Sequence, residues 1–153
     1  MKTDIQNRAD IDAPMKIFDS RAISDDAIGY IFTDVAKLDL DRHLPIIGDF
    51  CFFIIFHTGD YQRHGRHPLM VHGELTEKTP LLPEHFRRWL EIFTETVDST
   101  FSGEKADFVK IRARAIADRM RHYVGEINDR IAIPRDNPAE VEALRRRSCH
   151  ERS

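Results

Sequence analysis

Eight histidines in a chain of 153 residues raise the question of a metal. His57, His64, His67 and His72 fall in one short stretch, which concentrates imidazole nitrogens there. A zinc ion held by side chains draws on several Cys, His or carboxylate ligands at tight spacing, such as His-Glu-x-x-His on one helix face. None of those spacings occurs, so the histidines alone do not establish a metal. A lone histidine is commonly a surface or core residue, and His64 and His67 read as part of a solvated loop. The two cysteines, Cys51 and Cys149, are far apart, and Cys51 sits in an apolar run. That pattern gives no disulfide framework and fits a reducing cytoplasm. Cys51 reads as a small buried hydrophobe, and Cys149 as an exposed thiol in a tail.

A single imidazole suffices for a different metal chemistry. Haem iron needs one strong axial donor, which neutral imidazole supplies. The macrocycle then needs a slot lined by aliphatic and aromatic side chains. Ten phenylalanines and one tryptophan provide that material, and the same residues would serve equally as an ordinary core.

The elements available to hold such a slot are helical, and the fold class expected is all-α. Ile11, Met15, Phe18 and Ala22 share one helix face, with Pro14 tolerated near a first turn. Ser24-Asp25-Asp26 reads as the cap of a short helix through Ile28, Ile31 and Phe32. Leu40, Leu44, Ile47, Cys51 and Ile54 predict a helix over 40–56; a strand is the alternative for Phe50 to Phe56 alone. Thr58 to Gly65 reads as a polar loop, Pro68 to His72 as a short helical turn, and Glu74 to Pro83 as a loop. Pro83 then opens an amphipathic helix carrying Phe86, Trp89, Leu90, Phe93, Val97 and Phe101, broken at Ser102-Gly103. A last helix carries Val109, Ala113, Ile116, Met120, Tyr123 and Ile127. The organisation expected is a flexible N-terminus over 1–10, one domain over 11–130 and a mobile tail over 131–153.

Bulk properties exclude several classes. Charged residues make up 32% of the chain, yet the net charge is only −3. That balance argues against a nucleic-acid or membrane-surface partner. The longest apolar run, Phe50 to Phe56, falls far short of the ~20 residues that span a bilayer. The first ten residues contain no apolar stretch that would form a secretory signal.

Several short stretches, in order, resemble group III truncated haemoglobins of the truncated globin family. They are Ala27-Ile28-Gly29-Tyr30-Ile31-Phe32, His43 followed by Ile47-Gly48-Asp49-Phe50, Thr58-Gly59-Asp60-Tyr61, Leu69-Met70-Val71-His72, and Leu81 to Phe93. The resemblance implies a two-over-two helical sandwich around haem b, iron protoporphyrin IX. It implies His72 as the proximal iron ligand and His43 at the distal position, where the side chain either faces the pocket or turns to solvent. It implies Trp89 as the pocket tryptophan and Phe32 as a ring packed on the haem. Ile47 falls on the pocket side of the same helix as His43. Tyr61 and Arg66 lie close enough in sequence to His72 to bond haem propionates. The ligand implied is oxygen, nitric oxide or a related diatomic, with the chain a monomer or weak homodimer.

The resemblance fails at two places. The family carries a tyrosine directly after the phenylalanine of the first long helix, where this chain has Phe18-Asp19. An ionised aspartate accepts hydrogen bonds only and would repel bound oxygen, whereas a protonated one could donate. Loss of the phenol ring predicts an enlarged distal pocket. The second departure is Cys51, where the family usually has tryptophan. Because both fall near the distal side, an engineered variant with a remodelled pocket is one expectation. Such a haem enzyme would use Asp19 and His43 as acid–base groups in peroxide-dependent oxidation, or would transfer a carbene or nitrene to a small organic substrate. A helical interaction module without haem is the remaining alternative.

Overall fold

The structure, a computed structural model, describes residues 1–57, 68–131 and Arg146. Its first helix, α1 (Arg8–Ser24), begins where the Asn7 side chain accepts from the Asp10 N–H. Ile11, Pro14, Met15, Phe18, Asp19 and Ala22 form its buried face. The predicted apolar stripe is there, but it includes one carboxylate.

The short helix expected after Ser24 is instead a turn followed by a single π-helical turn, Ile31–Val35. Asp25 is the reason the chain turns. Its Oδ2 accepts from the Ala27 and Ile28 N–H groups, and its Oδ1 accepts from Arg88 Nε at 2.9 Å. The capping chemistry was legible, but it serves a turn tied to a distant helix. Gly29 is required here, because a Cβ would lie 2.3 Å from the Ile23 carbonyl oxygen.

Helix α2 spans Leu40–Phe56, the bounds read from the sequence, with Asp39 as its cap. It ends at His57, which takes a left-handed conformation with φ 57° and donates its N–H to the Phe53 carbonyl. Helix α3 runs Pro68–Lys78, longer than the turn expected to end at His72. Helices α4 (Pro83–Thr100) and α5 (Glu104–Ile131) follow the predicted amphipathic patterns. Among the described residues no strand forms beyond the isolated bridge Thr3–Phe101.

Helices α1 and α2 pack as one pair and α4 and α5 as another. Helix α1 lies on α4 and α2 on α5, so the pairs stack two over two. Helix α3 packs on α5. Phe18, Ile28, Ile92 and Val124 are among the most completely buried side chains of the core between them.

The N-terminal segment, expected to fray, is tied down. Ile5 is 3% exposed, and Asp4 accepts from the Lys105 and Ala106 N–H groups at the start of α5. Burying one isoleucine stabilises by about 1.5–3 kcal/mol, enough to offset ordering of a residue or two. Of the tail expected over 131–153, only Ile131 and Arg146 fall among the described residues.

Candidate functional site

Helix α4 supplies an aromatic stripe. Phe86, Trp89 and Phe93 recur at three- and four-residue spacing, which places them on one face. Trp89 and Phe93 stack with centroids 5.5 Å apart and planes 13° apart. Phe18 of α1 meets both rings edge-on, at 5.6 Å from Trp89 and 5.4 Å from Phe93. At the other end, Phe86 lies 6.5 Å from the His72 ring. The seven-residue step from Phe86 to Phe93 covers roughly 10 Å along the axis. One apolar face therefore joins His72 on α3 to Phe18 and its neighbour Asp19 on α1.

His72 is half-buried on α3, and its helix is held from behind. Gly73 is buried against α5, where a Cβ would come 3.1 Å from the Tyr123 ring. Thr76 donates its hydroxyl to Asn128 Oδ1 at 2.6 Å and accepts from the Leu81 N–H. Asn128 in turn donates to the Leu81 carbonyl. These bonds fix the end of α3 and the connection into α4 against α5. The sequence reading missed them because it placed a loop from Glu74 onward. Polar Thr76 and Asn128 carried no signal of their being partners.

Asp19 is 4% exposed. Its Oδ2 lies 3.0 Å from Nδ1 of His43, whose side chain is 26% exposed. The structure thus brings the two sequence-flagged polar residues together as a pair. Asp19 is not an isolated carboxylate, and His43 turns its Nδ1 edge toward α1. Ile47 lies one turn beyond His43 and is partly buried against the core, as are Phe32, Trp89 and Leu90. Tyr61 and Arg66 lie outside the described residues.

Neighbouring features explain how α1 and α2 approach. Gly48 admits Arg8 and Asp12, whose side-chain atoms would sit 2.5 and 2.7 Å from a Cβ. Arg8 pairs with Asp12 and Asp49. Further along, Cys51 Sγ lies 3.8 Å from Met15 Sδ. Burial pushes the Cys51 thiol up to about 12, so it stays protonated. Among the described residues no three His, Cys, Asp or Glu side chains converge as a metal site, and no helix is long and apolar enough to cross a membrane.

No protein-family model matches the chain. It is 27% identical over 127 residues to the group 3 truncated hemoglobin ctb of Campylobacter jejuni, covering 81% of this chain and 95% of that protein. A crystal structure of group III truncated hemoglobin from Campylobacter jejuni superposes with a TM-score of 0.70 at 28% identity, again over 81% of this chain and 95% of the other. Likeness of sequence and likeness of fold each extend over 81% of this chain. The chain is similar in sequence and in structure to group III truncated haemoglobin, and it has the all-α truncated-globin fold.

Proposed function

We propose that the protein is a haem-binding truncated globin in which His72 would hold the iron of haem b, which would supply the site for a small diatomic ligand. The observation that carries this reading is the setting of His72, a half-buried imidazole against Phe86 at one end of the α4 aromatic stripe. The residues present fit the group. One imidazole suffices as donor. Phe32, Ile47, Trp89 and Leu90 are apolar side chains only partly covered by the chain, as the walls of an apolar slot would be. Cys51 is buried and protonated, so it offers no competing thiolate.

When bound, haem supplies a reversible coordination site for a diatomic molecule. The chain's own residues do the positioning. Gly73 and Thr76 hold α3 on α5 and so fix where His72 stands. Phe86 limits rotation of the imidazole. The Asp19–His43 pair provides the polar groups of the distal side. Tyr61 and Arg66 are proposed as propionate partners.

At 27% identity over 127 residues, most matched positions differ from the Campylobacter protein. Departures at Asp19 and Cys51 therefore need no deliberate remodelling to account for them. Carbene or nitrene transfer and peroxide-dependent oxidation have no specific observation in their favour.

Titrating haem into the purified haem-free chain tests the reading. The expected result is stoichiometric uptake with a sharp Soret band that moves when carbon monoxide is added to the reduced protein. A broad, non-saturating absorbance would contradict it.

A further inference from the structure

Helix α5 turns an apolar strip outward as well as inward. Its buried residues are Ala106, Val109, Ala113, Ala117 and Val124. With 3.6 residues per turn, Phe108, Ile111 and Ala115 fall on the opposite side. Ile111 is 66% exposed and Phe108 37%. The end of α2 extends the strip. The His57 ring meets Phe108 at 6.2 Å, and Phe53, 38% exposed, lies one turn before His57. Large apolar side chains adjoining on an outer face mark a site of interaction.

Cations flank the strip. Arg112 stands one turn from Phe108, Arg119 one turn from Ala115 and Arg114 one turn from Ile111, and all three are exposed. None of them has an ion-pair partner among the described residues, whereas Asp107 pairs with Lys110 and Asp118 lies 4.0 Å from Arg121. Glu104 is exposed at the start of the helix, and the charge of Lys105 acts on Asp4. The net charge of −3, which argues against a membrane-surface partner for the chain as a whole, is therefore not the charge of this face.

We propose that this face, formed by α5 and the end of α2, docks the protein on an anionic lipid bilayer. Ile111, Phe108 and Phe53 enter the headgroup boundary, and Arg112, Arg114 and Arg119 meet lipid phosphates. The guanidinium suits phosphate because it donates two parallel hydrogen bonds, and the long arginine stem lies along apolar surface while its head reaches the anion. The shape favours a bilayer over a protein segment. These side chains stand outward from a helix, and a fluid interface moulds around a convex surface, whereas a bound segment needs a groove. A second copy is the poorer occupant too. Two α5 helices paired antiparallel about a two-fold would set the Arg112–Arg119 edge against itself, with like charges facing. The docking is independent of the haem reading.

Cosedimentation of the whole chain with lipid vesicles tests the proposal. Wild type binds vesicles of phosphatidylglycerol and phosphatidylcholine at least about 10-fold more tightly than phosphatidylcholine alone, and about 0.5 M sodium chloride releases it. Arg112→Gln/Arg119→Gln weakens binding by about 10-fold or more, at roughly 5-fold for each cation removed. Ile111→Ser, at a side chain already 66% exposed, weakens binding while circular dichroism shows the helices intact. Arg42→Gln, roughly 20 Å from His57 along α2, leaves binding unchanged. Equal affinity for the two kinds of vesicle, or unchanged binding in the arginine or the isoleucine variant, overturns the proposal. A dimer in sedimentation velocity that Ile111→Ser abolishes, in a chain that does not bind anionic vesicles, assigns the face to a second copy and overturns it likewise. Failure of the haem reading is distinguishable, because vesicle binding is read without reference to the Soret band.

Discussion

His43 Nδ1 and Asp19 Oδ2 lie 3.0 Å apart, tying the first turn of α2 to the buried face of α1. The two partners are unequally covered, and this makes their removal unequal. With His43→Leu, the Asp19 carboxyl loses its partner at 5% side-chain exposure. That variant is expected to lose roughly 2–3 kcal/mol in urea unfolding, because a buried polar group left without its partner costs more than the pair contributes. Asp19→Leu leaves His43 able to reach water and costs less. The double variant Asp19→Leu/His43→Leu recovers much of the loss. Equal costs for the two single variants would contradict the pairing.

Thr76 tests how α3 is held. It is 1% exposed and bonds both Asn128 and the Leu81 N–H. Thr76→Val keeps the shape and removes both bonds, at an expected cost of about 1–3 kcal/mol. Combined with Asn128→Leu, the losses fall short of their sum, because both act on one network. Additive losses in chemical denaturation would show that the two act separately.

Asp4 tests the anchored N-terminus and gives a pH dependence. Partial burial raises its carboxyl, but N–H donors from Lys105, Ala106 and Ile5 outweigh this and hold it below its ordinary value of 3.8. A carboxylate lowered on folding contributes stability above its ordinary value and loses that contribution as pH falls through the lowered one. Asp4→Ala is expected to cost about 1–2 kcal/mol at neutral pH, as for loss of a helix cap. The gap between wild type and variant closes in acid. A gap that stays constant with pH would rule out the carboxylate as the cause.

Cys51 tests core packing beside the pair. Burial keeps its thiol protonated and inaccessible, so iodoacetamide leaves it unmodified in the native protein and alkylates it after denaturation. Peptide mass mapping of Cys51 reads this. Rapid native alkylation would mean that α1 and α2 separate readily.

The helices that pack by long amphipathic stripes were legible in the sequence. Helix α2 has the bounds its apolar spacing predicted, and α4 begins at Pro83 as read. What escaped were features decided by partners distant in sequence. The turn read as ending at His72 continues through Gly73, which lets α3 approach Tyr123 of α5 where a Cβ would crowd the ring. Asp25 looked like a helix cap, and Arg88 makes it a turn anchor. Met1 to Asp10 looked too polar to order, but a single isoleucine and Asp4 fix it. At the candidate site, His43 and Asp19 were each visible as polar residues near a pocket. That they touch depends on how α1 crosses α2, which composition and spacing do not encode.

The central claim is that His72 holds the haem iron. The most direct measurement is the Soret spectrum of His72→Gly with and without free imidazole. Glycine continues the small-residue step at Gly73, and imidazole restores the donor without the chain. The account predicts loss of the wild-type Soret band in the variant and its return as imidazole is added. A variant whose spectrum matches wild type without imidazole would contradict it.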